Sequence, residues 1–167
     1  MNKNIKLILA SDHAGFTLKE AVKKFLEGKG YAVLDVGAHE LVPGDDYPVY
    51  MIAAAMEVAK DLEGGTKAII FGGTGQGEAM AANRLPGVRA AVWYGTAARR
   101  SDMTDSSEAQ PDIIKLSREH NDANVLSIGA RFVNEEDAER AIEAWLETPF
   151  SGEEKYRRRN EEIDNIE

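Results

Sequence analysis

Short apolar runs separated by stretches of helical periodicity constrain the fold of this chain more than any other feature. Ile5-Lys6-Leu7-Ile8-Leu9-Ala10 has the continuous apolar character of a buried strand. Leu18, Ala21, Val22, Phe25 and Leu26 follow at helical spacing with charges between them, and Gly28 and Gly30 close that helix. Tyr31–Asp35 is a second strand, and the polar, turn-rich stretch Gly37–Asp46 leads into a helix over Pro48–Lys60. Lys67–Phe71 is a third strand that runs into Gly72-Gly73-Thr74-Gly75-Gln76-Gly77, with a helix over Glu78–Arg84. Val88–Trp93 and Val125–Ile128 are strands four and five. Glu135–Glu147 is amphipathic through Ala138, Ala141, Ile142 and Trp145, and a charged helix spans Gly152–Glu167. This alternation predicts an α/β fold of parallel βαβ units with helices on both faces of the sheet. Gly95–Pro111 breaks the rhythm: it is polar, lacks apolar periodicity, and reads as a long surface loop.

The 167 residues suit one domain, 1–167, and 43% hydrophobic with 29% charged residues is a globular composition. With no cysteine, disulfides, thiolate nucleophiles and cysteine-held metals are excluded, which fits a cytoplasmic protein. A formal net charge of −9 argues against nucleic acid or an anionic membrane as partner, so an anion site has to be built locally. No apolar run approaches the ~18 residues of a membrane span. The first residues lead directly into a strand rather than a signal peptide.

In an open parallel sheet, ligands bind beyond the carboxyl ends of the strands. Three polar clusters are expected there: Ser11-Asp12-His13-Ala14-Gly15, the glycine loop, and His120-Asn121-Asp122, the last depending on how the chain closes. The glycine loop is the strongest. Its glycines free several N–H groups to face one anion, and the following helix adds its dipole. Gly73, Gly75 and Gly77 are evenly spaced, unlike the dinucleotide fingerprint, and Glu78 stands where a P-loop has lysine. The alternative is a tight strand-to-helix turn that needs glycine for close packing.

Glu78 has two readings, stabilisation of a helix N-terminus or a general base beside an oxyanion hole. His39 lies in a polar turn, while His13 and His120 sit beside Asp12 and Asn121 and are either loop caps or site residues. No metal site is expected, because no local histidine–carboxylate set has ligand spacing. In Lys155-Tyr156-Arg157-Arg158-Arg159, Lys155 and Arg159 share a helix face. That face is either solvated and balanced by Glu161 and Glu162 or a clamp for one phosphate.

Four collinear strings carry a resemblance. They are Ala10-Ser11-Asp12-His13-Ala14-Gly15-Phe16, Asp46-Tyr47-Pro48, Gly72 to Glu78 continuing through Ala81-Ala82-Asn83-Arg84, and Leu116 through His120-Asn121-Asp122 to Leu126. Together they resemble the ribose-5-phosphate isomerase B family, which includes the galactose-6-phosphate isomerase subunits, over nearly the whole chain. The resemblance implies a Rossmann-like three-layer α/β/α sandwich with a parallel five-stranded sheet. It also implies a homodimer or tetramer whose active sites are shared between subunits, with the C-terminal helix at about 152–167 packing on a partner. The implied reaction is cofactor-free aldose–ketose isomerisation of a sugar phosphate. One branch of the family uses a cysteine before the glycine loop as base; Gly72 stands there in this chain. The other uses a glutamate after the loop, and Glu78 matches it.

On the same resemblance His120 opens the sugar ring with Asp12 nearby, and Glu78 moves the proton between C2 and C1. Gly73, Thr74, Gly75, Gln76 and Gly77 line the enediolate, Asn121 binds the sugar, and Arg131, Lys155, Arg159 and His13 hold the phosphate. Two departures stand out. Lys155 replaces an arginine of the family's paired cations, which removes a bidentate fork. The 95–111 segment is longer than the family's usual connection. Both bear on substrate identity more than on reaction type. The readings left open are ribose 5-phosphate, a four- or six-carbon sugar phosphate, and a non-catalytic sugar-phosphate binder. Glu78 and the glycine spacing disfavour a nucleotide-binding module.

Overall fold

The computed structural model describes residues 5–96 and 112–165. Its strands are β1 (Lys6–Ser11), β2 (Ala32–Asp35), β3 (Lys67–Gly72), β4 (Ala90–Trp93) and β5 (Val125–Gly129). The helices are α1 (Phe16–Gly28), α2 (Tyr47–Ala59), α3 (Gln76–Ala82), α4 (Ile113–Glu119), α5 (Glu135–Glu147) and α6 (Glu154–Asp164). The strands form one parallel five-stranded sheet in the order β2-β1-β3-β5-β4. The α/β class, the five parallel strands and the helices on both faces are as the sequence predicts.

Side-chain alternation along the strands divides the core in two. Leu7, Leu9, Ile69, Phe71, Leu126 and Ile128 face Val22 and Leu26 of α1, Ile114 of α4, and Ile142 and Trp145 of α5. Ile8, Ala10, Ala68 and Ile70 face Met51, Ala54, Ala55 and Val58 of α2 and Ala82 of α3. The inner strands β1, β3 and β5 are buried on both faces, which explains why they are apolar without a break.

Element boundaries differ from expectation by a few residues. Helix α3 begins at Gln76, two residues before Glu78, because Gly75 supplies a left-handed N-cap with φ of 77°. Strand β4 begins at Ala90 rather than Val88, since Val88 still bonds back to Leu85 in a turn. Helix α6 covers Glu154–Asp164, inside the expected 152–167. Of the expected Gly95–Pro111 loop, residues 97–111 lie outside the described residues.

The chain leaves β1 for β2 on one side and returns to β3 on the other, so β1 and β3 flank the topological switch point. Helix α1 follows β1 on one face and α3 follows β3 on the opposite face. Their loops therefore diverge above the carboxyl ends of neighbouring strands, where a crevice opens.

Candidate active site

The loop after β1 brings Asp12 and His13 to this crevice. Asp12 Oδ1 accepts from the backbone N–H groups of Ala14 (2.9 Å) and Gly15 (3.1 Å), an Asx-type turn that starts α1 and leaves Oδ2 uncommitted. His13 is anchored from a distant segment: Asp45 Oδ1 accepts its backbone N–H at 2.9 Å and lies 2.7 Å from its Nδ1. Burial by itself would raise the Asp45 carboxyl, but the bonds from His13 hold it below the usual carboxylate range. Asp12 Oδ2 is 3.9 Å from the same ring nitrogen, too far for a hydrogen bond.

The loop after β3 carries the second part. No hydrogen bond among the described residues takes up the N–H groups of Gly73, Thr74 or Gly75. The Gln76 N–H donates to Thr74 Oγ1 at 3.3 Å, and Ser127 Oγ from β5 donates to the Gly75 carbonyl at 2.7 Å, fixing the loop. Arg131 follows β5 and joins the loop: its N–H donates to the Gly73 carbonyl at 3.3 Å, and its guanidinium carbon lies 3.1 Å from where a side chain on Gly73 would begin. Tyr47, at the start of α2, places its hydroxyl 2.8 Å from the corresponding point on Gly77.

Glu78 folds back from the first turn of α3 over the end of β3. Its Oε1 lies 1.8 Å from the position a Cβ on Gly72 would take. A side chain at residue 72 and this carboxylate would claim the same volume, so a glutamate in this pose requires glycine at 72. The residue is only 5% exposed, and its Oε2 is buried without a hydrogen-bond partner. Such a carboxylate is an unused acceptor packed against residue 72, at the start of a loop with unused donors.

His120, Asn121, Lys155 and Arg159 form a separate group, and here the sequence expectation is corrected. His120 caps the C-terminal end of α4, and the chain then enters the beginning of β5. Because β5 is parallel to β3, its beginning lies at the amino edge of the sheet, where Asn124 O accepts from the N–H of Ala68 in β3. The His120-Asn121-Asp122 cluster is thus not at the carboxyl ends with the other two. A strand of five residues, about 16 Å, separates the edges.

This second group is well ordered by its neighbours. The His120 ring stacks on Tyr156 of α6, with centroids 4.0 Å apart and planes at 18°. The Lys155 ammonium is 4.5 Å and the Arg159 guanidinium 6.0 Å from the centre of the same ring. Asn160 Nδ2 donates to the His120 carbonyl at 3.2 Å, and Arg89 Nε donates to the Asn121 carbonyl at 2.9 Å. Asp122 adopts φ of 44°, and its carboxylate pairs with Arg118 at 2.8 Å and Arg89 at 3.2 Å, which sets the turn that presents His120 and Asn121.

Sequence reasoning did not single out Asp45, Tyr47 or Tyr156. Tyr47 stood inside a family string without a role, and Tyr156 stood between the two expected cations. Asp45 is 32 residues from His13, beyond any local spacing rule. The ligand-type atoms of Asp12, His13 and Asp45 lie within 4.8 Å of one another, a grouping that sequence spacing does not show because Asp45 is 32 residues away from His13. Because Nδ1 of His13 is engaged by Asp45, these two read first as a hydrogen-bonded pair, with the Asp12 carboxylate standing 3.9 Å from the ring.

Comparison with known proteins agrees with this architecture. A sequence profile of the Ribose/Galactose Isomerase family matches residues 7–163. The ribose-5-phosphate isomerase B of Escherichia coli is 35% identical over 163 residues, covering 97% of this chain and 96% of the relative. That of Mycolicibacterium paratuberculosis is 34% identical over 155 residues, covering 93% and 87% respectively. Among solved structures, a ribose 5-phosphate isomerase from Thermotoga maritima superposes with a TM-score of 0.81 at 35% identity, covering 98% of this chain and 99% of its own. The ribose-5-phosphate isomerase B of Mycoplasma genitalium, solved with bound ribulose-5-phosphate, gives a TM-score of 0.81 at 32% identity and covers 96% and 95%.

Proposed function

The chain belongs to the ribose/galactose isomerase family, and we propose that it interconverts ribose 5-phosphate and ribulose 5-phosphate through an enediolate, without a cofactor. The observation that carries this reading is the Glu78 carboxylate, buried with one unpartnered oxygen beside a loop of unpartnered N–H groups. A base and an oxyanion site side by side are what proton transfer next to a carbonyl needs. The bound sugar in the Mycoplasma genitalium relative supports the same substrate class.

In this mechanism Glu78 takes the proton from C2 of the open-chain aldose. The electron pair moves to form the C1–C2 double bond, and the charge gathered on the C1 oxygen is held by the N–H groups of Gly73, Thr74 and Gly75, with Gln76 and Gly77 closing the loop. The C2 hydroxyl passes its proton to the C1 oxygen, Glu78 returns its own proton to C1, and the C2 carbonyl of the ketose results. As the furanose opens, His120 protonates the ring oxygen and the C1 hydroxyl releases its proton to solvent, with Asp12 nearby, and Asn121 binds the sugar hydroxyls. Arg131 and His13 meet the phosphate from one side, Lys155 and Arg159 from the other. Phosphate binding remote from the reacting carbons supplies orientation.

The two residue groups stand at opposite edges of one sheet, farther apart than an extended five-carbon sugar phosphate can reach. We therefore assign the Glu78 group and the His120 group of one site to two copies of the chain, in a dimer or a pair within a tetramer. The α6 helix that carries Lys155 and Arg159 then packs toward the partner. The setting on this reading is the cytoplasm.

Proton NMR of ribose 5-phosphate with the protein in D2O tests the function. Ketose should form with deuterium entering at C1, and Glu78→Gln should abolish both events while still binding substrate. A folded wild-type protein that gives no ketose and no exchange would refute the ribose 5-phosphate assignment.

A further inference from the structure

Asp45 lies outside the family strings that suggested the site, yet it makes the most specific contact in the crevice. One oxygen, Oδ1, engages both the backbone N–H of His13 at 2.9 Å and its Nδ1 at 2.7 Å. Two bonds to one residue fix both where the loop sits and how the ring is rotated. Asp12 cannot share this work: its Oδ1 is committed to the N–H groups of Ala14 and Gly15, and its Oδ2 stays 3.9 Å from the ring. The Asp45 side chain is only 9% exposed, whereas the His13 side chain is 32% exposed. Nε2 of His13 makes no hydrogen bond among the described residues. The buried end of the pair is therefore the carboxylate, and the open end is the ring. The phenol of Tyr50 stands beside Asp45 and is itself pushed above its usual value by burial and by that carboxylate.

Which nitrogen of an imidazole carries the proton is set by the bond that the other nitrogen makes. A carboxylate can only accept, so the Nδ1 facing Asp45 must be the donor. Nε2 is then the nitrogen left for a ligand, and a protonated ring offers it an N–H directed at an anion. The same device, a carboxylate behind a histidine that works through its far nitrogen, orients histidines in nucleophilic triads and metal sites.

We propose that Asp45 is a positioning residue for His13, holding the ring with Nδ1 protonated and Nε2 turned into the crevice, where it meets the substrate's phosphate. This deepens the isomerase reading and rests on it for the identity of the anion, but not for the orientation of the ring.

The test uses the full chain labelled with 15N, as wild type, Asp45→Asn and Asp45→Ala, with His13→Gln to assign the His13 signals. Long-range 1H–15N correlation reports which ring nitrogen is protonated. Wild type should show His13 with Nδ1 protonated, and addition of inorganic phosphate should move the Nε2 resonance. Both Asp45 variants should lose the single tautomer, bind inorganic phosphate about tenfold more weakly, and raise KM about tenfold while kcat changes by less than about threefold. A wild-type His13 protonated at Nε2 with a bare Nδ1 would overturn the proposal, as would variants that keep the tautomer and the phosphate affinity. Wild type that shows the tautomer and the phosphate response but no turnover upholds Asp45 and counts against the isomerase reading.

Discussion

Replacing Gly72 by alanine tests the proposed base through a residue that carries no chemistry. The new Cβ would begin 1.8 Å from Glu78 Oε1, 2.1 Å from Cδ and 2.5 Å from Cγ. Ordinary contact is about 3.5 Å, so the carboxylate oxygen has to retreat by about 1.7 Å. A misplacement of about 1 Å in a reacting group can cost on the order of 100-fold in rate. The expected loss in kcat is therefore at least about 100-fold, or roughly 2.7 kcal/mol in the barrier. Gly72 ends a regular strand and needs no positive φ, so the backbone accepts alanine and the strain falls on the Glu78 side chain. The assay is ketose formation from ribose 5-phosphate, with thermal melting to establish that the variant folds. Glu78→Gln and the double variant complete a cycle, in which adding Gly72→Ala to Glu78→Gln should cost little more. A kcat for Gly72→Ala within about threefold of wild type would refute the reasoning, because the carboxylate would then not be working from the space above residue 72.

Two further outcomes follow from other parts of the molecule. Lys155→Ala should raise KM about tenfold with kcat nearly unchanged, an effect that shrinks with added salt, because an exposed cation acts on the phosphate rather than on the reacting carbons; unchanged KM at low salt would remove Lys155 from the clamp. Asp35→Asn should destabilise the fold by about 3 kcal/mol, since it strips the fully buried Lys19 of its partner at 2.5 Å, though Glu20 remains at 2.7 Å. That corresponds to a fall in Tm of roughly 6–12 °C, and a fall within about 2 °C would contradict it. Burial alone would raise the Asp35 carboxyl, but Lys19 and Lys23 hold it below its usual value. Its stabilising effect is then complete above the unfolded value of ~3.9 and fades as pH falls through the lower folded value, so the gap between wild type and Asp35→Asn should narrow in strong acid.

The parts of the site that could be read from the sequence are those built by neighbours in the chain. The glycine-rich run 72–77 after an apolar strand announces a backbone-lined turn, and Glu78, one residue past it, falls on the first turn of the next helix. The helix itself begins at Gln76, since Gly75 can take the left-handed cap. The sequence places His120 at the wrong edge for a topological reason. A parallel strand is entered at the end opposite to the one its predecessor leaves, so a polar string just before β5 lies a strand's length from polar strings just after β1 and β3. Asp45 stayed invisible because a carboxylate in a turn-rich stretch has no spacing signature, and only the return of the chain over β1 brings it to His13. Tyr156 lay between Lys155 and Arg159 as an apparent spacer, and its role as the platform for His120 depends on how α6 packs.

The assignment of one active site to two copies of the chain can be tested by mixing. Glu78→Gln and His120→Asn should each be nearly inactive alone, because each homodimer lacks one half of both sites. Co-refolded in equal amounts, half of the dimers should be hybrids, each with one site bearing both lesions and one bearing neither, and activity should return to roughly a quarter of wild type. A mixture that forms hybrid dimers yet stays as inactive as its parents would contradict the shared site.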